Sequence, residues 1–415
     1  MARREDSRPA THALDKSRSG SRIIIREAAR NTIKSAWVRN MNLEKRFAAI
    51  ARTIFFSEFS FPGTRFKAKS GHEYELADHV VWIDNLLIAL QLKERQPNLP
   101  GTGDPWFENK VLKKATRQVR DTLAFLRQHD EIEIENQSGH RFHLIPANIS
   151  REFMVVVYDE PQSGLYRARP NHHVSRTAGL IHCLHASDFI DVCRTLITPA
   201  EIADYLDFRG AIIRANEFLS ERAILGQFLL GATAELPTEH NVAAFLRFRN
   251  ERSRFDIRWF FQELPKVIHT TRLGDERSYY EILKEYAMLD RFDLEQFRLR
   301  IRTVEHNLTS SALQRPFRMI NQRGTCFMWV AIPKALFEKR LILLQNFTGL
   351  AKYDGHVDRC VGMAFTKRSD GLIEFDCCYM EGKWRHDPEV EEMLNQDNPF
   401  RPLHIKPKPG YLLDL

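Results

Sequence analysis

The spacing of apolar residues near the start of the chain predicts a helix followed by a pair of strands. The segment NLEKRFAAIARTIFF predicts a helix over about 42–56, and Asn42 is a suitable N-cap. Two strands are expected next, at about Tyr74–Ile83 and Leu86–Glu94. The polar pair Asp84-Asn85 between them is typical of a two-residue hairpin turn.

A long amphipathic helix is predicted after this hairpin, over about 107–129. Its apolar face consists of Val111, Ala115, Val119, Leu123 and Leu126. An apolar run then predicts a buried strand at Phe153–Tyr158. The stretch that follows is rich in Pro, Arg and His, which indicates a long irregular loop.

The second half of the chain opens with a clear helix start. Thr198 is the expected N-cap, Pro199 occupies the first helical position, and Glu201 completes a capping box. Helical spacing prevails from about 199 to 310, and strands return between about 323 and 384. The whole pattern predicts an α/β fold of the α+β kind.

The positive charge of the chain is concentrated at its beginning. The formal net charge is +7, and residues 1–50 contain 12 Lys and Arg against 5 Asp and Glu, so the rest is neutral. Residues 1–20 are polar and aperiodic, which predicts a disordered arm, and a helix is expected from Ser21. A basic arm on a neutral body is typical of proteins that contact phosphate backbones, and a solvated tail is the equal alternative.

The composition excludes several classes of protein. With 43% hydrophobic and 11% aromatic residues, global disorder is not expected. No apolar run approaches the length of a transmembrane helix, and the N-terminal segment has no apolar core of a secretory signal. Six irregularly spaced cysteines predict no disulfide framework and a cytoplasmic location. The GxGxxG, GxxxxGK[ST] and GxSxG motifs are absent from the sequence, so dinucleotide-binding, P-loop and α/β-hydrolase functions lack support.

Three polar side chains are expected to converge at one end of the predicted hairpin. Gln91 and Lys93 are two residues apart in a strand, so they share one face of the sheet, while the leucines beside them face a core. A turn at Asp84-Asn85 places Asp78 level with Gln91. Carboxylate and amide oxygens suit a hard divalent cation, and an ammonium group can stabilise the charge that develops in phosphodiester hydrolysis.

These residues give the segment of about 40–160 a resemblance to the PD-(D/E)xK nuclease superfamily. Within it, the segment is most similar to the Mrr-type restriction branch, in which Gln often replaces the Glu of the ExK element. The family order is a helix with a Glu, a strand with the Asp, a strand with (E/Q)xK, and a helix. In this sequence, Glu44, Asp78 and Gln91-Leu92-Lys93 stand in that order, followed by the helix over 107–129.

The resemblance implies a role for each of these residues. Asp78 would be the central metal ligand, and Gln91 and the backbone carbonyl of Leu92 would complete a site for Mg²⁺ or Mn²⁺. Lys93 would be the catalytic lysine and Glu44 an auxiliary acid. The side chains implied to face the DNA backbone or the site are Lys113, Lys114, Arg117 and Gln118.

Departures from the family pattern leave other interpretations open. Ala77 precedes Asp78, so the Gly and Pro found there in relatives are absent, and Gln91 removes one negative charge. Glu73 and Glu75 are alternative acids. Two sets of His and Cys residues are weak zinc candidates because their spacing fits no standard pattern: His172, His173, His182, Cys183 and His185, and His356, Cys360, Cys377, Cys378 and His386.

The sequence is thus expected to divide into a disordered basic arm at 1–20, a domain at 21–160 that the resemblance implies is a restriction-endonuclease-like nuclease, a mostly helical region at 161–310, and an α+β region at 311–415. The resemblance implies a metal-dependent endonuclease that cuts DNA, most simply double-stranded, as a bacterial restriction-like or anti-phage effector. A homodimer or a partner subunit is expected, since cutting two strands needs two sites. Two alternatives stay open: a nuclease-like protein that binds nucleic acid without cutting it, and a structural subunit of a defence complex.

Overall fold

The computed structural model describes most of the chain between residues 41 and 400. The described residues are 41–63, 65–67, 73–75, 77–96, 103–160, 169–216, 218–231, 236–251, 260, 264, 279–367, 371 and 373–400. They form a mixed α/β structure, which confirms the predicted class. The basic arm, the helix expected from Ser21 and the Pro-rich end of the chain lie outside the described residues.

The strands are numbered in chain order: β1 (Ser60–Pro62), β2 (Arg65–Lys67), β3 (Glu73–Glu75), β4 (His79–Ile83), β5 (Leu86–Glu94), β6 (Ile132–Glu135), β7 (Arg141–Leu144), β8 (Arg151–Asp159), β9 (His172–Ser175), β10 (Gly179–His185), β11 (Phe317–Ile320), β12 (Thr325–Ile332), β13 (Arg359–Lys367) and β14 (Ile373–Glu381). The helices are α1 (Leu43–Ala51), α2 (Gly103–Trp106), α3 (Thr116–Gln128), α4 (Ala186–Thr195), α5 (Pro199–Ile213), α6 (Glu221–Leu230), α7 (Glu239–Glu251), α8 (Tyr279–Ala287), α9 (Arg291–Asn307), α10 (Arg340–Asp354) and α11 (Pro388–Gln396). A π-helical segment, Phe107–Ala115, joins α2 to α3, and the continuous helix over 103–128 is called the covering helix below.

A six-stranded sheet organises the N-terminal half, in the order β1-β4-β5-β8-β10-β9. β1, β4 and β5 are antiparallel neighbours, β5, β8 and β10 are parallel, and β9 runs antiparallel to β10. The last residues of β5, β8 and β10 therefore lie along one border, called the carboxyl edge below. Along the chain, the core of this layer is a helix, three antiparallel strands, the covering helix and a parallel strand.

Different helices cover the two faces of this sheet. Helix α1 packs through Leu43 and Phe47 into the same core as Leu90 of β5. Its predicted cap forms, since Asn42 Oδ1 accepts a hydrogen bond from the Lys45 N–H at 3.0 Å. The covering helix buries the opposite face, and all of its predicted apolar residues are enclosed there: Val111, Ala115, Val119, Leu123 and Leu126. Side chains alternate along β5, so Gln91 faces the covering helix.

Two expected elements differ from the structure. The strand expected from Tyr74 begins at His79, because Glu73–Glu75 pairs instead with Arg65–Lys67. The stretch expected to be an irregular loop contains β9 and β10, so the sheet continues past residue 160. Polar residues of this stretch form contacts inside the fold. Nδ1 of the buried His182 lies 2.9 Å from Nη1 of Arg209, which is itself fully buried.

The helical region is fixed by caps and buried ion pairs. The predicted capping box at α5 is confirmed, since Thr198 Oγ1 accepts a hydrogen bond from the Glu201 N–H at 3.2 Å. The Glu201 carboxylate in turn accepts the N–H of Ile197 at 2.7 Å. Arg209 pairs with Glu221 of α6 at 2.8 Å, which ties α5 and α6 to β10.

A second sheet, in the order β11-β12-β13-β14, confirms the strands expected after residue 323. β12 and β13 are parallel, and α10 connects them and packs on one face. On the other face, Phe297 of α9 lies edge-on against Trp329, with ring centroids 5.1 Å apart. Glu285 of α8 accepts hydrogen bonds from Thr325 Oγ1 and Arg359 Nη1, each at 2.7 Å, and so joins the helical region to this sheet.

Candidate functional site

The hairpin of β4 and β5 sets the position of the first candidate residues. Its register pairs His79 with Leu90 and Ile83 with Leu86, which leaves Asp84-Asn85 as the turn. Asp84 adopts a φ of 55°, a left-handed conformation that Asp tolerates better than most residues. The next pair along the hairpin is Asp78 and Gln91, so the two residues lie level with each other, as the sequence predicts.

Lys93 brings these residues together. Its Nζ lies 3.2 Å from Asp78 Oδ2, 3.4 Å from Gln91 Oε1 and 3.0 Å from the carbonyl oxygen of Leu92. We call these three oxygens the three-oxygen site. The Asp78 Oδ2 also accepts the backbone N–H of Leu92 at 2.5 Å, which anchors the carboxylate to β5.

The three-oxygen site is half enclosed. Gln91 is 2% exposed, whereas the side chains of Asp78 and Lys93 are 20% and 14% exposed. Polar side chains at this depth interact more strongly than on the open surface, because less water screens them. The ionic groups can still be reached from solvent.

Glu44 is not brought to this site. It is exposed in the first turn of α1, on the helix that covers the opposite face of the sheet. In the part of the chain that the structure describes, no hydrogen bond or ion pair links Glu44 to Asp78, Gln91 or Lys93. The alternative acids Glu73 and Glu75 belong to β3, which pairs with β2 in a separate two-stranded sheet.

The basic residues of the covering helix point away from its apolar face. Lys113, Lys114 and Arg117 are exposed, and Gln118 is half-buried. Lys113 Nζ lies 3.4 Å from Asn109 Oδ1, one turn earlier on the same helix. Lys113, Lys114 and Arg117 therefore form a solvated basic surface on the covering helix.

The sequence interpretation missed an ionic triad beside the site, formed by Arg95, Glu160 and Arg169. Arg95 Nη1 lies 2.9 Å from Glu160 Oε1, and Arg169 Nη2 lies 3.1 Å from Glu160 Oε2. The Glu160 side chain is fully enclosed. Arg169 is more than 70 residues from Arg95 in sequence, so only the pairing of β5 with β8 could have indicated the triad.

A second group that the sequence did not indicate lies at the carboxyl edge. Asp159, the last residue of β8, forms an ion pair with Arg46 of α1. Nε2 of His185, at the end of β10, lies 3.7 Å from Asp159 Oδ1. Burial lowers the pKa of His185 and outweighs the nearby Asp159 carboxylate. Its Nδ1 accepts the N–H of Ser187 at 3.3 Å and caps α4, so a neutral imidazole fits this position.

The donors of the three-oxygen site fit a hard divalent cation. A carboxylate, an amide oxygen and a backbone carbonyl oxygen are the ligand types that Mg²⁺ accepts, and Mg²⁺ takes few protein ligands because it retains water. The Lys93 ammonium contacts all three oxygens, so the structure itself has a cationic group among them. Among the described residues, no group of three or more His, Cys, Asp or Glu side chains is arranged to hold a metal ion.

Several of the zinc candidates are buried or hydrogen-bonded within the fold. Burial raises the pKa of the Cys183 thiol to about 12, which disfavours the thiolate that binds zinc. His172 Nδ1 lies 2.9 Å from Asn171 Oδ1. Cys377 and Cys378 pack against opposite faces of the second sheet, and burial raises the pKa of both thiols.

No helix in the described part of the chain is long and apolar enough to cross a membrane. Comparisons of the chain with family models, curated proteins and solved structures found no match.

Proposed function

We propose that this chain is a metal-dependent nuclease that hydrolyses phosphodiester bonds in DNA. The observation that carries the proposal is the convergence of Asp78, Gln91 and Lys93, with the Lys93 ammonium within 3.4 Å of three oxygen atoms. These groups come from two strands of one hairpin and lie at the carboxyl edge. Ligands of open α/β sheets commonly bind at this edge.

The order of elements around the site supports the same proposal. Helix α1, the antiparallel strands β1, β4 and β5, the covering helix and the parallel strand β8 come in this order along the chain, with the small sheets β2–β3 and β6–β7 between them. The PD-(D/E)xK resemblance implies a helix, a strand with the Asp, a strand with the QxK element and a helix, and α1, β4, β5 and the covering helix follow that order. A restriction-endonuclease-like core for the N-terminal half is therefore part of the proposal.

Each side chain has a distinct task in the proposed reaction. Asp78, Gln91 and the Leu92 carbonyl would hold Mg²⁺ or Mn²⁺, which would supply activation of water and neutralisation of charge at phosphorus. The Lys93 ammonium would move from the three oxygens toward the substrate and donate hydrogen bonds to a phosphate oxygen, where negative charge increases in the transition state. The Leu92 N–H keeps Asp78 oriented throughout.

The surroundings of the site favour a polyanionic substrate. Lys113, Lys114 and Arg117 give the covering helix an exposed basic surface, and the chain as a whole is basic. We propose double-stranded DNA as the substrate, and a restriction-like or anti-phage role in a bacterial cytoplasm, with a second copy or a partner subunit for the second strand.

Cleavage by the purified full chain tests the proposal. Supercoiled plasmid, single-stranded DNA and RNA would be incubated with Mg²⁺, Mn²⁺ or EDTA. We expect metal-dependent cleavage of DNA, and a decrease of about 10²–10³-fold in Lys93→Ala, as for loss of one donor to a developing oxyanion. Lys367→Ala is the control, because Lys367 is an exposed lysine in the second sheet.

Binding without cleavage is a second candidate, and the charge of the site favours it. Asp78 supplies one negative charge and Lys93 cancels it, so attraction for a divalent cation is weaker than in a site with two carboxylates. Salt-sensitive binding of DNA with no product in any metal would support this candidate. Cleavage that persists in both Lys93→Ala and Asp78→Asn would contradict the proposed nuclease site.

A further inference from the structure

The triad of Arg95, Glu160 and Arg169 lies on the same side of the sheet as Lys93. Arg95 follows Lys93 by two residues, and Glu160 follows Tyr158, the residue of β8 that pairs with Lys93. Residues two apart in an extended strand have Cα atoms ~6.6 Å from each other. The triad therefore continues the row of polar side chains that begins with Gln91.

Several contacts fix the arginines of the triad in place. Both guanidinium groups bind the one carboxylate of Glu160, at 2.9 Å for Arg95 and 3.1 Å for Arg169. The guanidinium carbon of Arg169 lies 4.8 Å from the ring centre of Phe107 in the covering helix, a cation–π contact. The Arg95 backbone N–H donates to the carbonyl oxygen of Asp159 at 2.9 Å.

The charge and the exposure of the triad suit an anionic ligand. Two guanidinium groups share one carboxylate, so the triad carries one net positive charge. The side chain of Arg95 is 13% exposed, close to the 14% of Lys93, and that of Arg169 is 9% exposed. A ligand that reaches the Lys93 ammonium from solvent can therefore reach Arg95 at the same depth.

We propose that Arg95 and Arg169 form a phosphate-binding subsite, which holds the phosphate group next to the one that is cleaved. This inference rests on the proposed nuclease function, and it assigns the substrate class: a polynucleotide, in which two neighbouring phosphates are engaged together. The planar guanidinium presents two parallel N–H donors to phosphate oxygens, which a lysine cannot do. Glu160 is the positioning residue that keeps both guanidinium groups aimed at the site.

DNA binding in EDTA tests the subsite separately from cleavage. The affinity of the full chain for a fluorescein-labelled duplex would be measured over a series of salt concentrations. We expect Arg95→Gln to weaken binding by ~10-fold and to lower the slope of log K against log salt by about one. Arg127→Gln is the matched control, since Arg127 also pairs with a carboxylate of β8, Glu152, but at the opposite end of that strand.

If the triad contributes only to stability and binds no phosphate, a different result is expected. In that case Arg95→Gln would lower the melting temperature and leave the affinity and the salt slope at the wild-type values, which would overturn the proposal. If Arg95→Gln does not fold, Arg95→Lys takes its place. It keeps the charge and loses the paired donors, so we expect weaker binding with an unchanged salt slope, and unchanged affinity would count against the subsite.

The outcomes separate this inference from the proposed function. Loss of affinity in Arg95→Gln, with no cleavage by the wild type in any metal, would retain the subsite and exclude the nuclease. Cleavage that depends on Lys93, with unchanged binding by Arg95→Gln, would retain the nuclease and exclude the subsite. A wild-type chain that binds no polynucleotide would exclude the subsite whatever the cleavage assay gives.

Discussion

The Nζ of Lys93 lies 3.2 Å from Oδ2 of Asp78, and the backbone N–H of Leu92 donates to the same oxygen. One carboxylate oxygen of Asp78, the residue before β4, thus receives two donors from β5. The ion pair closes the open end of the hairpin, opposite its turn. It also places a cationic group where a divalent cation would find its ligands, so the lysine and a metal ion bound at the proposed site would compete for one set of oxygens.

Replacing Lys93 with methionine should raise the affinity of the site for divalent cations. Lys93→Met keeps the length of the side chain and removes the ammonium that contacts Asp78, Gln91 and the Leu92 carbonyl. We expect the dissociation constant for Mn²⁺ to fall by ~10-fold, equivalent to about 1.4 kcal/mol. Isothermal titration calorimetry measures this constant directly.

Two further variants make the metal measurement specific. Asp78→Asn removes the only charged ligand of the three-oxygen site, so Mn²⁺ binding should be lost. Lys367→Met changes an exposed lysine of the second sheet and should leave Mn²⁺ binding at the wild-type value. Equal affinities in Lys93→Met and the wild type would show that the ammonium and the cation do not compete.

Gln91→Glu should make stability depend on divalent cations. Gln91 is 2% exposed, so a carboxylate there is enclosed next to Asp78. In EDTA we expect the free energy of unfolding to fall by about 1–3 kcal/mol, the usual cost of a poorly satisfied buried polar group. Millimolar Mg²⁺ should restore it, because the cation would neutralise the added charge. Urea denaturation with and without Mg²⁺ provides the comparison.

Gln96→Glu is the control for this substitution. Gln96 is exposed just beyond β5, so its replacement should change stability little and should give no response to Mg²⁺. If Mg²⁺ stabilises Gln91→Glu no more than the wild type, the side chain at position 91 is not a cation ligand.

His79 should make the protein less stable in weak acid. It is buried beside Phe47, its Nε2 lies 2.8 Å from Ser60 Oγ, and burial lowers its pKa to about 3. An unfolded histidine has a pKa of about 6.5, so between these values the unfolded chain binds a proton that the folded chain does not. The free energy of unfolding should therefore fall with pH below 6.5, by up to ~1.4 kcal/mol per pH unit.

The measurement compares His79→Gln with the wild type by urea denaturation at about pH 7 and pH 5. Gln retains a hydrogen-bonding group for Ser60 and does not titrate. Between these pH values the wild type should lose ~2 kcal/mol more than the variant. His386→Gln, at an exposed position, should behave like the wild type. Equal losses in His79→Gln and the wild type would mean that burial does not keep the imidazole neutral.

The part of the candidate site that depends on pairing between neighbouring strands could be predicted from the sequence. Asp78 and Gln91 lie opposite each other because a two-residue turn fixes the register of a hairpin, and the turn residues are visible in the sequence. The position of Lys93 then follows from strand alternation. The helix caps at Asn42 and Thr198 likewise depend on residues only three positions apart in sequence, and both form as predicted.

Features built from distant segments could not be predicted in this way. The Arg95–Glu160–Arg169 triad depends on the parallel pairing of β5 with β8, which no turn specifies. The prediction of a loop where β10 lies is wrong because the polar residues of this stretch are buried in the fold, and the partner of His182 is Arg209 of a later helix. The prediction of a strand from Tyr74 is wrong for a different, local reason, because β3 pairs with the neighbouring β2 rather than extending β4.

Thr198 should contribute more to stability than other helix N-caps of the chain. Its Oγ1 accepts the Glu201 N–H at 3.2 Å, and its hydroxyl donates to the Leu289 carbonyl at 2.7 Å, so it links α5 to the segment after α8. We expect Thr198→Ala to lower the free energy of unfolding by about 2 kcal/mol, the upper end of the range for caps, because a buried carbonyl also loses its donor. Ser220→Ala is the matched control. Ser220 precedes α6 and its side chain forms no cap hydrogen bond, so this substitution should change the free energy of unfolding little. Denaturant unfolding of both variants tests the difference, and equal effects would show that the hydroxyl of Thr198 adds nothing beyond its position.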